Sequence, residues 1–155
     1  MSATTVEIAE YAPEHQPIFE ALNREWIEKY FKMEPPDYDM LQHPDEFILK
    51  KGGRIFMARV DGEWVGTATL KRFSSDTYEF SKLAVDERFR GRKIGLALTE
   101  KAIDAARHSG ATKIVLYSNT RLVPALNLYR KLGFREVPVD GPYQRSDIKM
   151  ELLLT

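Results

Sequence analysis

"RFRGRKIGLALTEKAIDAA", Arg88 to Ala106, changes character part-way along. Its first eight residues hold four cations and two glycines, whereas Ile94, Leu98, Ala102 and Ala105 recur at the spacing of one helical face, which Gly110 ends. A helix amino terminus already carries unpaired NH groups and a partial positive charge, so cations gathered there are unfavourable unless an anion offsets them. The stretch therefore has the character of an anion seat. "TYEFSKLAV", Thr77 to Val85, is a strand leading into it, and strand, glycine-bearing turn and helix together are a recurring way to hold phosphate. Two nucleotide motifs fail here. A P-loop needs a glycine-lysine pair where Leu96 stands, and a dinucleotide fingerprint does not allow Arg92, Lys93 and Ile94 between Gly91 and Gly95.

Upstream, "GGRIFMARVDGEWVGTATLKRF", Gly52 to Phe73, is a hairpin, with Asp61-Gly62 supplying the positive-φ positions of a tight turn. Before it, "TTVEIAEYA", Thr4 to Ala12, alternates as a first strand, and a helix is expected from Glu14 to Tyr30 with Ile18, Leu22, Trp26 and Tyr30 on its apolar face. Pro35 and Pro36 then forbid a continuous helix, and a short helical turn is expected around Pro44 to Lys50. Downstream, "ATKIVLYS", Ala111 to Ser118, is a short buried strand. A helix from Pro124 to Gly133 follows, turning Ala125, Leu128, Tyr129 and Leu132 inward. "GFREVPV" and "SDIKMELLL" close the chain as two strands, expected to pair antiparallel.

At 155 residues with 43% hydrophobic side chains, the chain is expected to form a single domain, residues 1–155. Its formal net charge of zero argues against a nucleic-acid partner, because proteins that wrap nucleic acid carry a basic excess. The neutrality is uneven, however. Residues 1–50 hold 11 acidic and 4 basic side chains, so the remainder is basic. Without cysteine there is no disulfide, thiolate metal site or cysteine nucleophile, and His15, His43 and His108 lack metal-ligand spacing, so no metal is expected. No apolar run approaches the ~20 residues of a membrane span, and "MSATTVEIAEYAPEH" lacks the features of a secretory signal, so no membrane partner and a cytoplasmic location are expected.

"KLAVDERFRGRKIGLAL", Lys82 to Leu98, resembles the acetyl-CoA signature of the GNAT superfamily of N-acetyltransferases, with Arg90 at its first position, Gly95 at its last and Lys93 where glycine is usual. "YSNTRLVPALNLYRKLGF", Tyr117 to Phe134, is similar to the family's next strand and helix. The resemblance covers roughly residues 53–135. It implies an α/β (α+β) fold: a mixed, mostly antiparallel sheet of six to seven strands with helices on both faces, splayed between its fourth and fifth strands. By the same resemblance acetyl-CoA is the acetyl donor, its pantetheine arm bonding the main chain of Leu83, Ala84 and Val85. Its diphosphate would rest on Arg90, Gly91, Arg92, Lys93, Ile94 and Gly95, with Asn119 orienting cofactor or substrate. The acceptor would be a primary amine of a small molecule or peptide, attacking directly in a ternary complex. Homodimers are common in that family.

Acetyl transfer needs an unprotonated amine, a polarised carbonyl and a proton for the thiolate. Glu79 is the candidate base: four residues before Leu83, it faces the same side unless a bulge, which the resemblance implies, intervenes. The alternative is an ordinary strand-edge glutamate. Tyr129 is the candidate acid, because a phenol stays protonated at neutral pH, and it also suits packing on the sheet. A strand NH, that of Leu83, would meet the oxyanion. Asn119 alternatively caps the following helix. The acidic residues Glu34, Asp37, Asp39, Asp45 and Glu46 suit either a solvated surface or a cationic acceptor, while Tyr143 and Arg145 would join the same pocket, Arg145 suiting an acceptor carboxylate. A non-catalytic acyl-CoA sensor of the same fold, and a small nucleic-acid binder using the basic turn, stand as rival readings.

Overall fold

Along Arg54–Val60, apolar residues on both sides of the strand call for cover on two faces: Ile55 and Met57 join one core, Phe56, Ala58 and Val60 another. This strand belongs to a seven-stranded open sheet in the computed structural model, which describes residues 5–140 and 144–154. In chain order the strands are β1 (Val6–Glu10), β2 (Arg54–Val60), β3 (Glu63–Arg72), β4 (Thr77–Val85), β5 (Lys113–Ser118), β6 (Arg135–Val137) and β7 (Ile148–Leu153). They lie side by side as β1-β2-β3-β4-β5-β7-β6, antiparallel throughout except for the parallel β4–β5 pair. The helices are α1 (Gln16–Tyr30), α2 (Pro35–Gln42), α3 (Ile94–His108) and α4 (Val123–Lys131). None of the described helices is long and apolar enough to cross a membrane.

Helices α1 and α2 cover one face, where Phe19, Ile27, Met40 and Leu41 meet Ile55 and Met57. Helix α3 covers the other through Ile94, Leu98 and Ala102, and α4 adds Leu126 and Tyr129 there. The sheet, its flanking helices and the expected hairpin all match the sequence reading.

Two expectations change. The prolines that interrupt α1 also start α2, because proline at the first helical positions lacks only an NH that has no intrahelical acceptor, and its fixed φ suits the helix. The turn expected after Pro44 is present as Asp45–Leu49, closed by Lys50 N–H donating to the Asp45 carbonyl at 2.8 Å. In α1 the buried row is Phe19, Leu22, Asn23 and Ile27 rather than the strict every-fourth row, since 3.6 residues per turn drifts away from a spacing of four.

The feature that places the site is in β4. Thr67 pairs with Ala84 and Thr69 with Ser81, so two residues, Lys82 and Leu83, stand opposite Ala68 alone. Lys82 takes a left-handed backbone, φ 53°. Strand β4 pairs with β5 only from Thr77–Lys113 to Phe80–Leu116, although β4 continues to Val85 and β5 to Ser118. Beyond Phe80, just before the bulge, the two strands no longer pair, which is the expected splay.

Gly66 of β3 sets how closely α3 approaches. A Cβ at this position would lie 3.1 Å from both Ile94 Cγ2 and Leu98 Cδ1. Gly66→Val is therefore expected to push the helix start off the sheet and to lower stability by about 1–3 kcal/mol, read as a shift in urea midpoint.

Candidate active site

Where β4 leaves β5, a cavity of about 1130 Å³ opens. Its wall includes Asn23, Trp26 and Tyr30 of α1 and Pro124, Leu128 and Tyr129 of α4. Since α1 and α4 contribute to cores on opposite faces, the cavity passes through the sheet at the splay. Two molecules can reach one point from two sides.

One end is the start of α3. Arg90, Gly91, Lys93, Ile94 and Gly95 line it, and the first-turn NH groups of α3 have no preceding carbonyl to bond. Gly91 has φ 80° with open space around its α-carbon, and Lys93 has φ 61°. The conformation at Lys93 is the one glycine adopts without strain, so the lysine retains the turn at a cost of about 1–2 kcal/mol. Arg90 Nη1 donates to Tyr30 Oη at 3.1 Å, which keeps its guanidinium at the cavity. Two neighbouring cations point elsewhere. Arg92 does not line the cavity and lies 5.1 Å from the Phe89 ring centre, while Arg88 bonds Asp86 at 2.9 Å and Glu63 at 2.5 Å.

Along the gap, Leu83 and Val85 line the wall, whereas Ala84 is buried between them. Glu79 lies on the opposite face of β4 from Leu83. Tyr78, Phe80 and Leu83 all pack in the α3-side core, so the bulge makes Lys82, not Leu83, the companion of Glu79. The same-side expectation therefore fails, for the reason the bulge supplies. Glu79 is 4% exposed; burial pushes its carboxyl up, opposed by the charges of Lys71, Lys82 and Lys149. Tyr129 reaches the cavity from α4, edge-on to Phe80 at 6.1 Å, and burial pushes its phenol further above the ordinary range. It packs and lines the site at once.

Asn119 also lines the cavity, with its amide engaged: Nδ2 donates to the Arg145 carbonyl at 2.7 Å, and Oδ1 accepts from Arg121 N–H at 2.9 Å. It ties the β5–α4 turn to the segment before β7. Arg121 donates to the Tyr30 carbonyl at 3.0 Å and stacks 4.7 Å from the Phe31 ring centre, also on the cavity wall.

The acidic segment behaves differently from either expectation at Asp37. This residue is 0% exposed and accepts from Lys82 at 2.5 Å, from Arg145 at 2.6 and 2.8 Å, and from the Glu34 N–H at 2.8 Å. Glu34 in turn accepts from Arg145 at 3.2 Å. Burial pushes the Asp37 carboxyl up, but the Arg145 hydrogen bonds and the Lys82 charge outweigh it and hold the pKa at about 2. Lys82 is pushed down by its own burial, with Asp37 opposing. Asp39, Asp45 and Glu46 are exposed or outside the cavity wall. Tyr143 lies outside the described residues. The sequence reading named Asp37 only as one of five acids suited to a solvated surface or a cationic acceptor and passed over Lys82, yet a lysine inside the otherwise apolar "FSKLAV" was a readable signal.

The Acetyltransferase (GNAT) family profile matches residues 16–134. Human N-acetylaspartate synthetase is 33% identical over 110 residues, 70% of this chain and 36% of that protein, and the chain spans less than half the length of each of the other curated relatives it matches here. A crystal structure of a GNAT-family acetyltransferase from Staphylococcus aureus superposes with TM-score 0.88 at 21% identity, covering 97% of this chain and 100% of that one. The PaiA N-acetyltransferase of Thermoplasma acidophilum, solved in complex with coenzyme A, gives 0.75 at 21% identity, covering 95% and 98%.

Because Asp37 titrates at about 2 in the fold against an ordinary 3.8, its stabilisation is complete above the higher value and is lost as pH falls through the lower. Asp37→Asn is expected to lower stability by about 3 kcal/mol at neutral pH, and the gap from the native chain should narrow below about pH 4. Urea unfolding across that pH range measures both.

Proposed function

The chain belongs to the GNAT acetyltransferase family, and from that membership we propose that it moves an acetyl group from acetyl-CoA to a primary amine while both are bound. One observation carries the reading: a single cavity crosses the sheet at the β4–β5 splay, with an α-helix amino terminus at one end and a buried carboxylate and a phenol along it. The N–H groups and Arg90 at that helix start suit a diphosphate, and the unpaired edge of β4 beyond Phe80 suits a pantetheine amide and the oxyanion. The synthetases' name specifies an N-acetylated amino acid, which supports an amine acceptor.

Acetyl-CoA supplies the acyl carbon and the thiolate leaving group. Glu79, raised by burial, takes a proton from the amine, directly or through water, as the C–N bond forms. Tyr129, kept protonated by burial, gives a proton to sulfur as the C–S bond breaks. Asn119 fixes the turn bearing Arg121 and the carbonyl of Arg145, holding the far wall in register with β4.

Tyr129→Phe is expected to lower kcat about 100-fold while leaving coenzyme A affinity within about threefold; equal loss of both would reduce Tyr129 to packing. Glu79→Gln should remove from the kcat/KM profile the inflection due to Glu79, which in the native chain lies above the ordinary 4.5 because burial raises the carboxyl, while the limb set by the amine's own ionisation stays. Arg90→Glu should weaken coenzyme A binding about tenfold or more, seen as a smaller thermal shift. Stabilisation by acetyl-CoA without thiol release across an amine panel would favour a sensor instead.

A further inference from the structure

We propose that the acceptor carries a carboxylate beside its amine, and that Lys82 and Arg145 seat this carboxylate next to Glu79. The proposal rests on the transferase reading above and adds the acceptor's chemical class.

Charge along the acceptor end is layered. Lys82 and Arg145 both line the cavity; Asp37 and Glu34, which hold them, do not. On this wall the two cations stand beside the Glu79 carboxylate, while Asp37 and Glu34 lie behind them. This reverses the expectation drawn from an acid-rich amino-terminal segment, because two of its acids, Glu34 and Asp37, are bonded to these cations.

Lys82 is an unfavourable residue for its position on two counts. It is left-handed, φ 53°, and its side chain is only 3% exposed. Plain alternation would send it to the α3 side with Phe80; the bulge turns it to the Glu79 side, where Asp37 meets it. Anchoring α2 to the sheet would not require Lys82 to line the cavity, which it does. Arg145 is held by a bidentate fork on Asp37, which sets the plane of its guanidinium at the cavity wall. Ser81 Oγ, on the same wall beside Lys82, is buried with no hydrogen-bond partner among the described residues, and stands as a further donor.

These groups match a zwitterion. Its amine turns to Glu79, which must take a proton, and its carboxylate turns to the two cations and the Ser81 hydroxyl. A polyamine would bring an amine for Glu79 but no carboxylate for Lys82, Arg145 and the Ser81 hydroxyl, which disfavours it.

The test is an acceptor panel of L-aspartate, L-glutamate and glycine, their carboxamides, and spermidine, read by thiol release and by mass gain of one acetyl group. The amides have the more weakly basic amines, so free-amine abundance works against the proposal and a preference for acids is informative. For the native chain, kcat/KM for at least one acid should exceed that of its amide about tenfold or more, and Lys82→Met or Arg145→Gln should erase most of that preference, chiefly through KM. Should either variant fail to fold, the native-chain panel decides alone. Preference for amides or spermidine, or acetylation of no acid in the panel, overturns the proposal. Thermal shift with acetyl-CoA, run alongside, separates the two failures: stabilisation with acetylated amides or spermidine removes only the carboxylate seat, whereas no stabilisation and no thiol release with any amine removes the transferase reading as well.

Discussion

The site depends on one interruption of hydrogen bonding: β4 stops pairing with β5 after Phe80, next to its bulge at Lys82 and Leu83. Although β4 runs on to Val85 and β5 to Ser118, they stay apart there, and the cavity opens between them. A left-handed lysine is unfavourable by roughly 1–2 kcal/mol, and its ammonium is buried; the salt bridge to Asp37 offsets part of both. The opening of the sheet and the positioning of the cation thus lie side by side on β4. The bulge turns Glu79 and Lys82 to a shared face while leaving Leu83 with the α3-side core.

Asp37 joins three segments far apart in sequence: the start of α2, the β4 bulge, and the stretch before β7. Apolar replacements for buried ion pairs are often equally stable, so stability alone does not account for such an arrangement. What an ionic junction adds is direction, since a bidentate carboxylate–guanidinium pair admits few geometries. The acidic amino-terminal segment and the basic remainder meet at this junction. Chain neutrality therefore conceals an internal contact as well as a surface asymmetry.

Much of the architecture was legible because it repeats locally. Asp61 and Gly62 do take positive φ between β2 and β3, and the Ile94, Leu98, Ala102 row is the buried face of α3. The start of α2 was hidden because proline marks both the end of one helix and the beginning of another, and local sequence does not separate the two. At the site, the glycine-and-cation turn before α3 announced itself, but the four cations were not equivalent: Arg88 is engaged by Asp86 and Glu63. Asn119 likewise shows its bonds, to Arg145 and Arg121, only once the chain folds.

The order of strands and helices apart from α2, the hairpin and the anion-seat turn were determined by the sequence alone, because turn residues and apolar spacing act within about a dozen positions. Tertiary structure decided the side to which Glu79 and Lys82 face, the burial of Asp37, and the insertion of β7 between β5 and β6. A one-residue bulge inverts every side chain beyond it without leaving a periodic trace, and the partners of a buried charge are set by segments that meet only in the fold.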